Sequence, residues 1–136
     1  AKGLQCMKDP KHGRMMLDMA TADLQAIRHM LNPHQFTDSI FGFHCQQAVE
    51  KLLKAWLSLS GVAFPRTHDL RILFDLAEDI DPQAVAPFRE LEDLTDYGVQ
   101  FRYEAPFDLE PLDRLALADQ VGALERRVSG LLASAT

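Results

Sequence analysis

The residues best suited to chemistry in this chain are a set of cations and aromatics in its middle and later thirds. Arginine forks match phosphate oxygens, tyrosine can stack on a base, and histidine can move a proton near neutral pH. This set predicts a site for a nucleotide or an RNA phosphate. Its members are Lys51, Lys54, Arg66, His68, Arg71 and the run Phe101-Arg102-Tyr103.

A purely structural interpretation of the same residues stays open. His68 would then sit in a capping turn and bond to backbone. Arg102 would pair with an acidic helix face, and Lys51 and Lys54 would be ordinary surface charges. Long charged side chains on a helix commonly have no other role than solvation.

Other kinds of site find little support in the sequence. There is no glycine-rich phosphate loop and no nucleophile elbow. A metal site needs three or four converging ligands. His44 and Cys45 are adjacent and would point about 100° apart on a helix, while the other early histidines are dispersed. The sequence therefore predicts no metal and no cofactor.

Composition limits the partners further. The net charge is −6, from 14 Lys and Arg against 20 Asp and Glu. Any RNA contact must therefore use a local basic patch rather than a generally basic surface. The two cysteines, Cys6 and Cys45, do not suggest a disulfide framework. No segment is long and apolar enough to cross a membrane. We expect a cytoplasmic protein.

The predicted site depends on a long helix from about Thr37 or Asp38 to Ser60. Its apolar residues fall in one arc at 100° per residue, with Trp56 in the middle, and Gly61 should end it. The opposite arc is polar and holds Gln46, Gln47, Glu50, Lys51, Lys54 and Ser58. Ile40, Phe43 and Leu57 also fall on the polar side. They are either scattered surface residues or a homodimer seam.

Four more helices are predicted, and the fold class is all-α, an up-down antiparallel bundle of about five helices. Residues 1–13 read as an irregular leader, and 14–136 as a single helical domain. On the first helix Asp23 borders the apolar stripe, either as a surface acid or ion-pair partner or as an acid that reaches the polar pocket. The other helices should span residues 14–31, 68–78, 82–101 and 112–132.

The helix ends should bring the candidate residues together. Thr67 is a suitable cap for the third helix, so His68 would lie at its start. Arg102 and Tyr103 close the fourth helix. In an antiparallel pair these ends are neighbours. We expect His68 and Arg102 within about 10 Å of each other, with free backbone amides of the third helix facing a phosphate.

The central stretch also resembles a known family. The run FHCQQAVEKLLKAWLSLSGVAFPRTHDLRILF resembles the signature of HEPN domains, which are small prokaryotic helical bundles. Thr67-His68-Asp69-Leu70 and the Phe101-Arg102-Tyr103 run match further elements of that pattern, as does Ala22-Asp23-Leu24. The resemblance covers residues 17 to 132.

This resemblance implies a role as well as a fold. HEPN domains often work beside a small nucleotidyltransferase in toxin-antitoxin-like systems, so the resemblance implies nucleotide or RNA binding, such a partner, and a homodimer. Many members are metal-independent ribonucleases with an arginine, four to six residues, and a histidine. Phe107, Asp108 and Leu109 occupy the histidine positions after Arg102. Two alternatives remain: a non-catalytic dimerisation or interaction module, and a ribonuclease with Arg102 and His68 as a rearranged catalytic pair.

Overall fold

The computed structural model describes residues 4–100 and 111–135, without the side chains of Val99 and Gln100. The described elements are almost entirely helical, as predicted for an all-α bundle. One isolated antiparallel bridge, between Gln5 and Val62, is the exception within that part of the chain. The helices are α1 (Pro10–Arg28), α2 (Asp38–Ser60), α3 (Leu70–Ile80), α4 (Pro82–Val85), a 3₁₀ helix (Ala86–Asp96), α5 (Tyr97–Gln100) and α6 (Arg114–Ala135).

Helix α2 is the centre of the bundle, and it packs against α1, α3, α5, α6 and the 3₁₀ helix. Its bounds match the prediction, and Gly61 ends it with a left-handed φ of 71°. At its start, Thr37 Oγ1 accepts a hydrogen bond from Ile40 N. Trp56 is buried, as expected, and so is Cys45. Burial raises the pKa of the Cys45 thiol to about 12, partly opposed by Arg114, so this thiol is not a ready nucleophile.

The predicted polar arc of α2 is wrong as a description of a solvated face. Gln46, Glu50 and Ser58 are all buried, because the chain after Gly61 folds back and covers that side. Leu57 is also fully buried and cannot belong to an exposed seam. Ile40 is 36% exposed, and Phe43 is partly buried.

Helix α1 starts earlier than the sequence suggested. Asp9 accepts a hydrogen bond from His12 N, and Pro10 takes the first position, where its missing N–H costs nothing. The helix therefore begins inside the segment we treated as an irregular leader. The residues before it also pack: Cys6 N donates to Gly61 O and Ala63 N donates to Leu4 O.

The segment from Pro82 to Gln100 is not the continuous α-helix that was expected. Asp81 caps α4 by accepting a hydrogen bond from Ala84 N, but the chain then changes to a 3₁₀ helix. Pro87 has no N–H and its ring clashes with the preceding turn, so an α-helix cannot pass through it undisturbed. Thr95 Oγ1 then donates to Glu92 O at 2.7 Å, which keeps the last turn tight.

A buried arginine joins α6 to the connection between α1 and α2. Arg114 is 7% exposed. Its guanidinium donates to Met30 O, Phe36 O and Asp38 Oδ1 at 2.6, 2.6 and 2.8 Å, and lies over the Phe41 ring. This contact could not be predicted from the sequence, because an arginine at the start of a helix is usually a surface residue. No helix in the described part of the chain is long and apolar enough to cross a membrane.

Candidate functional site

The candidate site is built around Glu50, whose side chain is only 6% exposed. Three donors surround its carboxylate. Oε1 lies 2.8 Å from His68 Nδ1 and accepts a bond from Gln46 Nε2 at 3.1 Å, and Oε2 accepts a bond from Lys54 Nζ at 3.0 Å. Gln46 also donates to His68 O at 3.0 Å. Side chain and backbone of His68 are thus both held by α2.

The pKa of Glu50 reflects two opposing effects. Burial works to raise it, but the hydrogen bonds from His68, Lys54 and Gln46 and the charge of Lys54 outweigh that effect and hold the pKa below its ordinary value. Glu50 is therefore an ionised carboxylate at neutral pH. A carboxylate only accepts hydrogen bonds, so Nδ1 of His68 must carry the proton.

This arrangement defines what His68 can do. With Nδ1 donating to Glu50, Nε2 is the nitrogen left to accept or release a proton. The His68 side chain is 65% exposed, so a ligand can reach it. The pairing of a histidine with a buried carboxylate suits a general base, or a cation that binds an oxyanion.

A second cluster of the same composition lies where α1 meets α2. Asp23 Oδ1 is 3.1 Å from His44 Nδ1, and Asp23 Oδ2 accepts a bond from Lys51 Nζ at 2.7 Å. Asp23 is therefore an ion-pair partner, which is one of the two roles that the sequence left open for it. Lys51 and Lys54 are three residues apart and face the same side of α2, so the two clusters adjoin. The sequence marked each of these residues separately but not their pairing across helices.

The start of α3 differs from the prediction. The helix begins at Leu70, and its cap is Asp69, which accepts from Arg71 N, rather than Thr67. Thr67 Oγ1 accepts from Asp69 N and Thr95 Oγ1 accepts from Leu70 N. These amides are occupied by side chains and are not available for a phosphate. Arg71 pairs with Asp69 at 3.0 Å.

The structure brings the predicted site residues only partly together. His68 and Lys54 share Glu50, and Lys51 lies beside them on α2. Arg66, two residues before His68, is exposed. It has no ion pair with any residue in 4–100 or 111–135. Arg102 and Tyr103 lie outside the described residues, and so does the expected 10 Å approach of Arg102 to His68.

The described chain nevertheless comes close to His68 just before that segment. A Cβ at Gly98, on α5, would lie 2.7 Å from Gln46 Cδ. Only glycine allows α5 to approach so closely. Gln46 bonds directly to the backbone of His68. Gly98 on α5 thus packs against Gln46, which belongs to the hydrogen-bond network that holds His68.

Comparison with known proteins identifies the family. The family model described as HEPN domain matches residues 14–124. The chain belongs to the HEPN domain family. A protein of Methanocaldococcus jannaschii named "Putative toxin MJ1304" is 27% identical over 104 residues, which are 71% of this chain and 66% of that protein. The match therefore spans just under two thirds of the relative's length.

The polar residues of the central helix have a structural role. In this HEPN chain Gln46 and Glu50 are buried links that fix the start of α3 to α2. Sequence reasoning placed both on a solvated face. Their spacing of four residues was the available signal, since it puts them on one ridge of a helix.

Proposed function

We propose that this HEPN domain binds a nucleotide or an RNA phosphate beside His68, and that it acts in a toxin-antitoxin-like system with a nucleotidyltransferase partner. The observation that carries the binding proposal is the Glu50–His68 contact of 2.8 Å on a ring that is 65% exposed. A buried carboxylate that orients an accessible imidazole is more than bundle packing requires.

Charge around His68 supports an anionic ligand. Lys54 balances Glu50, and Glu50 is the only carboxylate within 4.0 Å of the His68 ring nitrogens in the described part of the chain. Arg66 adds a second cation two residues away. Arg102 and Tyr103 complete the proposed site on the evidence of the sequence, with Tyr103 available for base stacking.

The proposed role in a toxin-antitoxin-like system is supported by the comparison with known proteins. The match to a protein named as a toxin and the family resemblance both favour a toxin-like role with a cognate partner. We place the protein in the cytoplasm, since Cys6 and Cys45 are both free thiols. We further propose a homodimer with Ile40 and Phe43 at its interface.

A second function has its own supporting observation. Lys51 and Lys54 each pair with a carboxylate at 3.0 Å or less, which is what a non-catalytic interaction module would do with them. Mass spectrometry of the natively purified protein separates the two functions. A bound nucleotide or RNA supports the first. A protein partner with no nucleotide, together with no measurable RNA affinity, supports the second.

Catalysis is tested separately. Arg102 and His68 would be the pair of a metal-independent ribonuclease. Cleavage of RNA in the presence of a chelator, abolished by Arg102→Ala and by His68→Gln, would establish it. Intact RNA under the same conditions would leave binding as the role of His68.

A further inference from the structure

Two arginines from different helices converge over one glycine where α1 meets α6. Arg28 is the last residue of α1, and Arg126 lies in α6. A Cβ built at Gly122 would lie 3.1 Å from Arg28 Nη2 and 3.5 Å from Arg126 Nη1. Both guanidinium groups therefore reach the same point above Gly122, which is itself buried.

These two guanidinium groups differ from most other arginines of the described chain. Arg71, Arg89, Arg114 and Arg127 each have a carboxylate within 4.0 Å. Among residues 4–100 and 111–135 there is no such partner for Arg28 or Arg126. The neighbouring acid Glu125 is engaged elsewhere, since its Oε2 accepts a hydrogen bond from Thr21 Oγ1 at 2.8 Å.

Convergence of two like charges needs a reason. The position of Arg28 alone is explained by its place in the last turn of α1, where the helix dipole favours a cation. That explanation does not apply to Arg126, which lies in the middle of a helix, nor to the approach of the two groups. Both side chains are exposed, so water weakens the repulsion between their charges without removing it, and an anion between them would cancel it.

The helix surface is open on the side of Arg126 that faces Gly130. Arg126 has a glycine four residues before it and another four residues after it, so Gly122, Arg126 and Gly130 lie along one ridge of α6. A Cβ at Gly130 would meet nothing within 4 Å. Guanidinium forks match the oxygens of a phosphate in pairs.

We propose that Arg28 and Arg126 form a phosphate-binding site above Gly122, for a phosphate monoester or a backbone phosphodiester. This site shares no residue with the one around His68, so it extends the proposed function and does not depend on it.

To test this proposal, the full chain is titrated with inorganic phosphate at constant ionic strength. Binding is monitored through the NMR chemical shifts of the arginine Nε–H groups. We expect saturable shifts at Arg28 and Arg126 and none at Arg14, an exposed arginine at the other end of α1. Arg126→Gln and Arg28→Gln should each weaken phosphate binding at least tenfold, while Arg14→Gln should not.

A second variant separates a shaped site from general positive charge. Gly122→Ala keeps both arginines but places a methyl group between their tips, so it should weaken phosphate binding about as much as Arg126→Gln. The helix should tolerate alanine, because the nearest atoms are the ends of flexible side chains. Circular dichroism verifies that the fold is kept.

The outcomes are distinct. Non-saturable shifts, equal losses in Arg14→Gln, or full affinity in folded Gly122→Ala would overturn the proposal. If phosphate binds at this site, short single-stranded RNAs with and without a 5′ phosphate show which kind of phosphate the site takes. A preference for the 5′ phosphate indicates a monoester, and equal binding indicates the backbone. Loss of RNA binding in His68→Gln but not in Arg126→Gln would reject this site while supporting the one at His68.

Discussion

Nδ1 of His68 lies 2.8 Å from Oε1 of Glu50, although the two residues are 18 positions apart. Glu50 is a buried residue of the central helix, and His68 is an exposed residue just before α3. The contact sets the orientation of the imidazole, and with it the nitrogen that a ligand would meet. It also ties the pH dependence of folding to the candidate site.

Acid should weaken the fold through Glu50. Its pKa in the folded protein is held below the ordinary value by hydrogen bonds from His68, Lys54 and Gln46, which outweigh the effect of burial. The stability that this carboxylate contributes is therefore present above the pKa of an unfolded glutamate and is lost as the pH falls through the lower folded value. Urea unfolding of wild type and Glu50→Gln between pH 7 and pH 3 measures it.

We expect Glu50→Gln to be less stable than wild type at pH 7, and the difference to shrink as the pH falls. The variant keeps the size of the side chain but removes its charge. Asp79→Asn, at an exposed position near the end of α3, is the control and should follow the wild-type pH curve. A difference between Glu50→Gln and wild type that stays constant down to pH 3 would contradict the assignment.

Trp56→Ala should destabilise the protein by roughly 3–5 kcal/mol, the usual cost of a large aromatic cavity. Trp56 is only 2% exposed. Leu115→Ala, at a position that is 66% exposed, should change the free energy of unfolding by less than about 0.5 kcal/mol. Urea unfolding followed by circular dichroism compares the two, and similar losses in both would contradict the assigned core.

Replacing Arg114 should be equally costly. Arg114→Met keeps the length of the side chain but leaves Met30 O, Phe36 O and Asp38 without their donor. A buried acceptor left without its donor typically costs about 1–3 kcal/mol, so the two carbonyls carry most of the loss, while Asp38, which is 37% exposed, adds little. Arg14→Met removes an exposed arginine and should be nearly neutral. A stable Arg114→Met protein would show that water satisfies these groups.

Association is the least constrained part of the proposal. If Ile40 and Phe43 lie in a homodimer interface, Phe43→Glu should halve the mass seen in sedimentation, because a charge in an apolar seam is not solvated. Ile72→Glu, at an exposed residue of α3, should leave the mass unchanged. A monomeric wild type, or a dimer that survives Phe43→Glu, would reject this interface.

The positions of the helices could be predicted from the sequence far better than the contacts between them. The ends of α2 followed from Thr37 and Gly61, because caps are local. The change to a 3₁₀ helix was missed, although Pro87 was visible, because helical periodicity over residues 82–101 looked continuous. The buried side of α2 was missed for a different reason. Gln46 and Glu50 are polar, and only the return of the chain at Thr67-His68 buries them.

The same distinction applies to the site. Sequence identified His68, Lys51 and Lys54 but not their carboxylate partners, since pairs such as Asp23 with Lys51 connect different helices. It also assigned free amides to the start of α3, where short side chains turn back on the backbone. Such local competition is hard to predict when Thr, His and Asp follow one another.

The central claim is that His68 belongs to a binding site for a nucleotide or RNA phosphate. The most direct measurement is the affinity for a short fluorescent single-stranded RNA, by anisotropy in the presence of a chelator, for wild type, His68→Gln and His34→Gln. His34 is an exposed histidine before α2 and is the matched control. We predict at least a tenfold loss of affinity in His68→Gln, with the helical fold kept by circular dichroism, and wild-type affinity in His34→Gln. Equal affinity in all three proteins would contradict the account.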